Sequence, residues 1–120
     1  MRILLVEDHH DTAVVFSRLL SRRDYTVRTA ASCAEAKVLC EEEQFDVLVC
    51  DIGLPDGNGI DLVRQLRQLS NCDAPAIALA GDIEPGDEKI GLDLGFVEYL
   101  IKPVHVERLE EAIRRASQRP

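Results

Sequence analysis

No apolar run in this 120-residue chain approaches the roughly 20 residues of a membrane-spanning helix. The N-terminus also lacks the pattern of a signal peptide: Arg2 precedes only Ile3-Leu4-Leu5-Val6 before acid follows. Positive charge is scarce. Fourteen Lys and Arg stand against 22 Asp and Glu, a formal net charge of −8. That balance argues against non-specific binding to nucleic acid or to an anionic membrane. It fits a protein that meets basic or mixed surfaces, or one that binds a cation. The four cysteines, Cys33, Cys40, Cys50 and Cys72, form no C-x-x-C pair, which argues against a zinc site. They read as free buried thiols in a reducing cytosol, so a cytoplasmic location is expected. Repeats, low-complexity segments and internal linkers are missing too. The expectation is one domain over residues 1–120, with no output domain and no DNA-binding helix-turn-helix.

What the chain does have is a regular alternation of short apolar runs with helix-like segments. Strands are predicted at about Arg2–Val6, Tyr25–Ala30, Asp46–Cys50, Ala76–Ala80 and Val97–Ile101. The first helix runs from an Asp11 N-cap to about Arg23 and carries Ala13, Phe16, Leu19 and Leu20 on one face. Ser32 and Glu35 form a capping box for a second helix reaching about Glu43. The segment 53–59 is rich in turn residues, and a third helix after it carries Ile60, Val63, Leu66 and Leu69. A weak fourth helix lies within Glu84–Leu94, where Pro85, Gly86 and Gly91 make poor helix material. A fifth spans about Val106–Ser117, with Val106, Leu109, Ala112, Ile113 and Ala116 on one face. Strands alternating with helices imply a doubly wound α/β sandwich, a flavodoxin-like (βα)5 fold with a five-stranded parallel sheet of order 2-1-3-4-5.

Charge ends three of these strands. Glu7-Asp8 follows the first, Asp51 the third and Lys102-Pro103 the fifth. Parallel strands place their C-terminal ends on one edge, where ligands bind in open α/β sheets. Two carboxylates about 4 Å apart at an effective dielectric near 20 repel by about 4 kcal/mol. Either raised pKa values or a bound cation relieves this, and an all-oxygen set suits Mg²⁺. A divalent metal, a lysine and a loop of backbone N–H groups together favour a phosphoryl group. The pocket's own nucleophile is a carboxylate, and Asp51, ending the central strand, is the best placed to form an acyl phosphate. His9, His10 and His105 read as solvated helix-start residues.

The segments ILLVEDHHD at 3–11, VLVCDIGLPDGNGIDLVRQLR at 47–67 and GFVEYLIKPV at 95–104 resemble the response-regulator receiver domains of two-component and phosphorelay signalling, the CheY-like superfamily. The resemblance covers essentially the whole chain. It implies that Asp51 takes a phosphoryl group from a phosphohistidine of a histidine kinase or histidine phosphotransfer protein. It implies Mg²⁺ held by Asp8, Asp51 and the backbone carbonyl of Gly53, with Glu7 acting through water. Lys102 would contact the phosphoryl oxygens, the Lys102–Pro103 bond would be cis, and Tyr99 would be the switch aromatic. The face made by the fourth helix, fifth strand and fifth helix would report phosphorylation, with a homodimer through it as an open option. The module would be no enzyme in the usual sense, although it could belong to a hybrid kinase.

One departure is plain. Ala80 stands where the family usually has Thr or Ser, whose hydroxyl binds the phosphoryl group. A hydrogen bond to a charged group is worth about 1.5–3 kcal/mol, so its loss should weaken the coupling between phosphate and switch by about tenfold or more. Two alternatives stay open. One is a phosphorylation-independent receiver-fold protein-interaction module. The other is an aspartyl-phosphate phosphatase, against which Gly53 stands where a general acid would be needed.

Overall fold

The computed structural model describes residues 1–69, 72–81 and 92–118. Seven strands and four helices are defined among them: β1 (Arg2–Val6), α1 (His10–Ser21), β2 (Thr26–Ala30), α2 (Cys33–Glu42), β3 (Val47–Asp51), β4 (Gly53–Leu54), β5 (Gly57–Asn58), α3 (Gly59–Leu69), β6 (Ala76–Ala80), β7 (Phe96–Ile101) and α4 (Val106–Ser117). The fourth predicted helix, with Pro85 and Gly91, lies largely outside the described residues, and so does its share of the dimer face expected above. The helix here named α4 is the fifth of the sequence reading.

Five strands form one parallel sheet in the order β2-β1-β3-β6-β7, the flavodoxin-like arrangement expected. The three central strands are buried almost throughout, which is why they read as unbroken apolar runs rather than alternating ones. The edge strand β2 is mostly exposed, and it carries Thr26, Arg28 and Thr29. Side-chain alternation then divides the sheet into two cores. Leu4, Val6, Leu48, Cys50, Ala76 and Ala78 pack with α2 and α3 residues such as Ala36 and Val63. Ile3, Leu5, Val47, Val49, Ile77 and Leu79 pack on the other face with Phe16, Leu20, Leu109 and Ile113 from α1 and α4.

Several boundaries differ from expectation, each for a local reason. Asp11 is not the N-cap of α1. His9 occupies that place without a side-chain cap hydrogen bond, and Asp11 sits in the first turn, where its charge still favours the helix dipole. Tyr25 is drawn into the end of α1, its N–H donating to Leu20 O at 3.3 Å, while Asp24 adopts a left-handed φ of 68°. Strand β2 therefore begins at Thr26. Strand β3 begins and ends one residue late, because Asp46 ties to Arg2 instead: Arg2 N–H donates to Asp46 Oδ2 at 2.7 Å. Asp51 is thus the last residue of β3, paired with Leu79. Ser32 caps α2 as expected, with Glu35 N–H donating to Ser32 Oγ at 3.2 Å, while Glu35 Oε2 accepts from Ala31 N–H at 2.6 Å, one residue before the N-cap N–H that a capping box would use. The segment read as a turn-rich loop contains a small antiparallel hairpin, β4 with β5, pairing Gly53 with Asn58.

Candidate functional site

The register of the sheet brings the charged strand ends together. Val6 pairs with Cys50 and Asp51 with Leu79, while Lys102 N–H donates to Ala80 O at 2.7 Å. Glu7 is fixed beyond β1 by its own N–H, which donates to Ala30 O at 2.9 Å. Glu7 and Asp51 are the two buried charged residues among the described ones, at 2% and 4% exposure. Asp8 and His9 are exposed. Lys102 Nζ donates to Asp51 Oδ2 at 2.7 Å and lies 3.5 Å from Glu7 Oε2. Gly53 N–H donates to Asp51 Oδ1 at 3.2 Å, so each carboxylate oxygen of Asp51 has one donor.

The charges bias one another. Burial and then the neighbouring Asp51 hold the Glu7 carboxyl above its ordinary value, against the pull of Lys102 and His9. Burial opposes the charge on Lys102, yet the Asp51 hydrogen bond and the Asp51 and Glu7 charges outweigh it and raise its pKa.

Could such a group of residues hold a cation? Ligand atoms of Glu7, Asp8, His9 and Asp51 lie within 4.8 Å of one another. Glu7 Oε2 is buried without a hydrogen-bond partner, an expensive state for a carboxylate unless a cation or its water serves it. The donor set is mostly hard oxygen, which suits Mg²⁺. A cleft of about 630 Å³ opens beside the cluster, lined by Glu7, His9 and Lys102 together with apolar Val15, Phe16 and Val104.

The remaining predicted residues fall nearby. The Lys102–Pro103 peptide is cis. Ala80 is buried at 3% exposure and pairs with Ile101. Tyr99 is half-buried, pairs with Ala78 and stacks on Phe96 at 5.7 Å between ring centroids. By strand alternation Ala80 faces the same side as Ala78, the side against which Tyr99 packs.

Two contacts in and beside the pocket were not expected from the sequence. His9 is solvated, as expected, but its Nδ1 lies 3.1 Å from Glu7 Oε1 and 3.6 Å from Asp8 Oδ1. Its place directly after the acid pair was the available signal. Asp56 accepts from Cys33 N–H at 2.8 Å and Ala34 N–H at 3.1 Å, tying the loop after Asp51 to the N-terminus of α2. Nothing in the spacing of residues 33 and 56 announces that contact. Of the four cysteines, Cys72 is only half-buried, and the four carry no disulfide.

A parallel five-stranded sheet with helices on both faces and an acidic pocket at the strand ends defines the class as a CheY-like signalling fold. The chain belongs to the response regulator receiver domain family, whose sequence model matches residues 3–114. It is similar to the transcriptional regulatory protein KdpE of Staphylococcus aureus, at 32% identity over 113 residues covering 94% of this chain and 48% of that protein. Among solved structures it is similar to the non-phosphorylated HemR receiver domain of Leptospira biflexa, at 32% identity and a TM-score of 0.88, covering 99% of this chain and 97% of that one. A Burkholderia pseudomallei response regulator, solved with a phosphorylated aspartic acid, a calcium ion and citrate, is 30% identical with a TM-score of 0.84, over 98% of this chain and 69% of that one. The chain spans about half the length of the curated regulators it matches. No helix among the described residues is long and apolar enough to cross a membrane.

Proposed function

We propose that Asp51 is the phosphoacceptor, receiving a phosphoryl group from a phosphohistidine of a histidine kinase or histidine phosphotransfer protein. One observation carries the reading above the others: Lys102 Nζ donates to Asp51 Oδ2 at 2.7 Å inside a pocket that also holds Glu7 and Asp8. An Asp51 oxygen attacks phosphorus, the phosphorus–nitrogen bond breaks, and the imidazole leaves with the bonding electrons. Lys102, already within reach of Asp51, neutralises charge on the phosphoryl oxygens, and the Gly53 N–H orients the nucleophile. Asp8, Asp51 and the Gly53 carbonyl would hold Mg²⁺, with Glu7 reaching it through water; the ion supplies charge neutralisation between carboxylates and phosphoryl group. Lys102, which contacts Asp51, lines the cleft together with Glu7 and His9. Residues 1–120 are read as one receiver unit. The free thiols fit the cytoplasm.

Ala80 supports a further element of the reading. It leaves the pocket without the hydroxyl that would join phosphate to the Tyr99 side of the sheet, so acceptance of phosphate is retained and its announcement is weakened. Incubation with acetyl phosphate or phosphoramidate and Mg²⁺, followed by intact mass, tests the acceptor. A gain of one phosphoryl group, abolished in Asp51→Asn and by chelation of Mg²⁺, is expected. No gain would favour the phosphorylation-independent interaction module, and turnover of a phosphate ester would favour the phosphatase.

A further inference from the structure

His9 is left without a role by the phosphoryl chemistry, yet it is the one nitrogen donor in the cluster of potential metal ligands. Its Nδ1 lies 3.1 Å from Glu7 Oε1 and 3.6 Å from Asp8 Oδ1, and one ligand atom from each of Glu7, Asp8, His9 and Asp51 falls within 4.8 Å of the rest. Metal–ligand bonds of about 2.0–2.2 Å place ligands on opposite sides of one ion about 4–4.4 Å apart. A slight contraction of the cluster is therefore enough for all four to reach one cation. Two observations make this more than an acidic patch. Glu7, at 2% exposure, carries an Oε2 with no hydrogen-bond partner and only the Lys102 ammonium 3.5 Å away, so a buried acceptor is served by one long ion pair. And His9 is the N-cap of α1, with its Nδ1 3.1 Å from Glu7 Oε1, so its ring lies beside the carboxylates.

We propose that His9 adds an imidazole ligand to the carboxylate pocket, making it a mixed oxygen–nitrogen site selective for a borderline divalent transition metal over Mg²⁺. The chemistry is that of ligand type. Carboxylate and water suit Mg²⁺, whereas imidazole suits Ni²⁺, Cu²⁺ and Zn²⁺, whose affinities also rise along the Irving–Williams order. Oxygen ligands alone serve either class; a nitrogen ligand improves binding only of the second. The ring is 71% exposed in its side chain, so it can turn from Glu7 to the ion without disturbing the core. The inference rests on the reading of this pocket as a divalent-cation site, and the test separates the two.

Ni²⁺ is the probe, titrated calorimetrically into the intact chain at constant neutral pH, alone and in competition with Mg²⁺. Loss of a directly bound ligand should cost at least the tenfold or so seen when outer-shell partners are removed. His9→Ala is expected to weaken Ni²⁺ binding about tenfold or more while leaving Mg²⁺ affinity within about twofold. His10→Ala, one residue on, is expected to change neither. Equal Ni²⁺ affinity in wild type and His9→Ala overturns the inference, as does Mg²⁺ binding that saturating Ni²⁺ leaves unchanged, which would place the two ions at different sites. If Mg²⁺ fails to bind the wild-type chain, the cation-site reading falls as well; if Mg²⁺ binds and Ni²⁺ is indifferent to His9, only the inference falls.

Discussion

Glu7 is the most deeply buried charge of the pocket. It is buried, faces Asp51, and has only a 3.5 Å ion pair to Lys102 on Oε2. Ionised Glu7 is therefore unfavourable in the folded chain without a cation, and its pKa is raised by burial first and by Asp51 second. A carboxyl with a raised folded pKa binds its proton more tightly when folded. Its stabilising contribution is full below the ordinary glutamate value of 4.5 and is lost as pH rises through the folded pKa. Glu7→Gln, which keeps the shape and removes the charge, should raise stability at neutral pH in metal-free buffer by about 1 kcal/mol, roughly 4 °C in Tm for a chain of this size. The gain should vanish below pH 4.5 and shrink when Mg²⁺ is added. Thermal unfolding across pH measures it, and a lower Tm for Glu7→Gln at neutral pH would overturn burial as the dominant cause. The acid pair, Asp51 and Lys102 were legible one residue at a time, because each breaks an apolar run. His9 was not, because a histidine at a helix start looks alike whether it faces water or a carboxylate.

At the scale of elements, the loop after Asp51 is held at two points beside that residue. The first is a close approach. A Cβ at Gly59 would stand 2.4 Å from Asp51 O and 2.9 Å from Cys50 Sγ, so β3 or α3 must shift to admit it. Gly59→Ala should cost about 1–3 kcal/mol, the usual range for forced overpacking, and should slow phosphorylation by displacing Asp51. Gly53→Ala is the control for stability: its Cβ meets nothing within 4 Å, so a change below about 0.5 kcal/mol is expected. Urea unfolding of both variants checks the contrast, and equal losses would sink it. The second point is Asp56, whose two hydrogen bonds to the N-terminus of α2 hold its pKa below the ordinary 3.8. A depressed carboxylate contributes stability above the unfolded value and loses it as pH falls through the folded one. Asp56→Ala should thus unfold at lower urea than wild type at neutral pH, and the two midpoints should converge below pH 3.8. A gap that persists in acid would show the carboxylate charge to be irrelevant. The order of strands and helices was legible because burial on both faces makes β1, β3 and β6 continuous apolar runs. The β4–β5 hairpin and the Asp56 cap were hidden, since two-residue strands have no period and the cap joins residues 23 apart.

Across the whole molecule, the sheet connects the pocket to its far side, and strand β6 is the link. Its last residue, Ala80, accepts from Lys102 N–H at 2.7 Å and faces the side of the sheet on which Tyr99 stacks against Phe96. Lys102 therefore knows of the pocket through its side chain and of β6 through its backbone, but no side-chain oxygen at position 80 joins the two. This difference was legible only by comparison with a motif; nothing in the packing of an alanine at 3% exposure reveals that a hydroxyl is missing. Ala80→Thr supplies one. In the unphosphorylated chain the buried hydroxyl must find a partner or cost about 1–3 kcal/mol, so a modest fall in Tm is expected. Once Asp51 is phosphorylated, the hydroxyl gains a charged acceptor worth about 1.5–3 kcal/mol. That difference shifts any two-state arrangement of the Tyr99 side by about tenfold or more. The ring resonances of Tyr99, followed by NMR before and after acetyl phosphate with Mg²⁺, should move further in Ala80→Thr than in the wild type, with phosphorylation confirmed by mass in both. Equal movement in the two would mean that strand β6 carries no signal through position 80, and that the coupling runs through the Lys102 backbone alone.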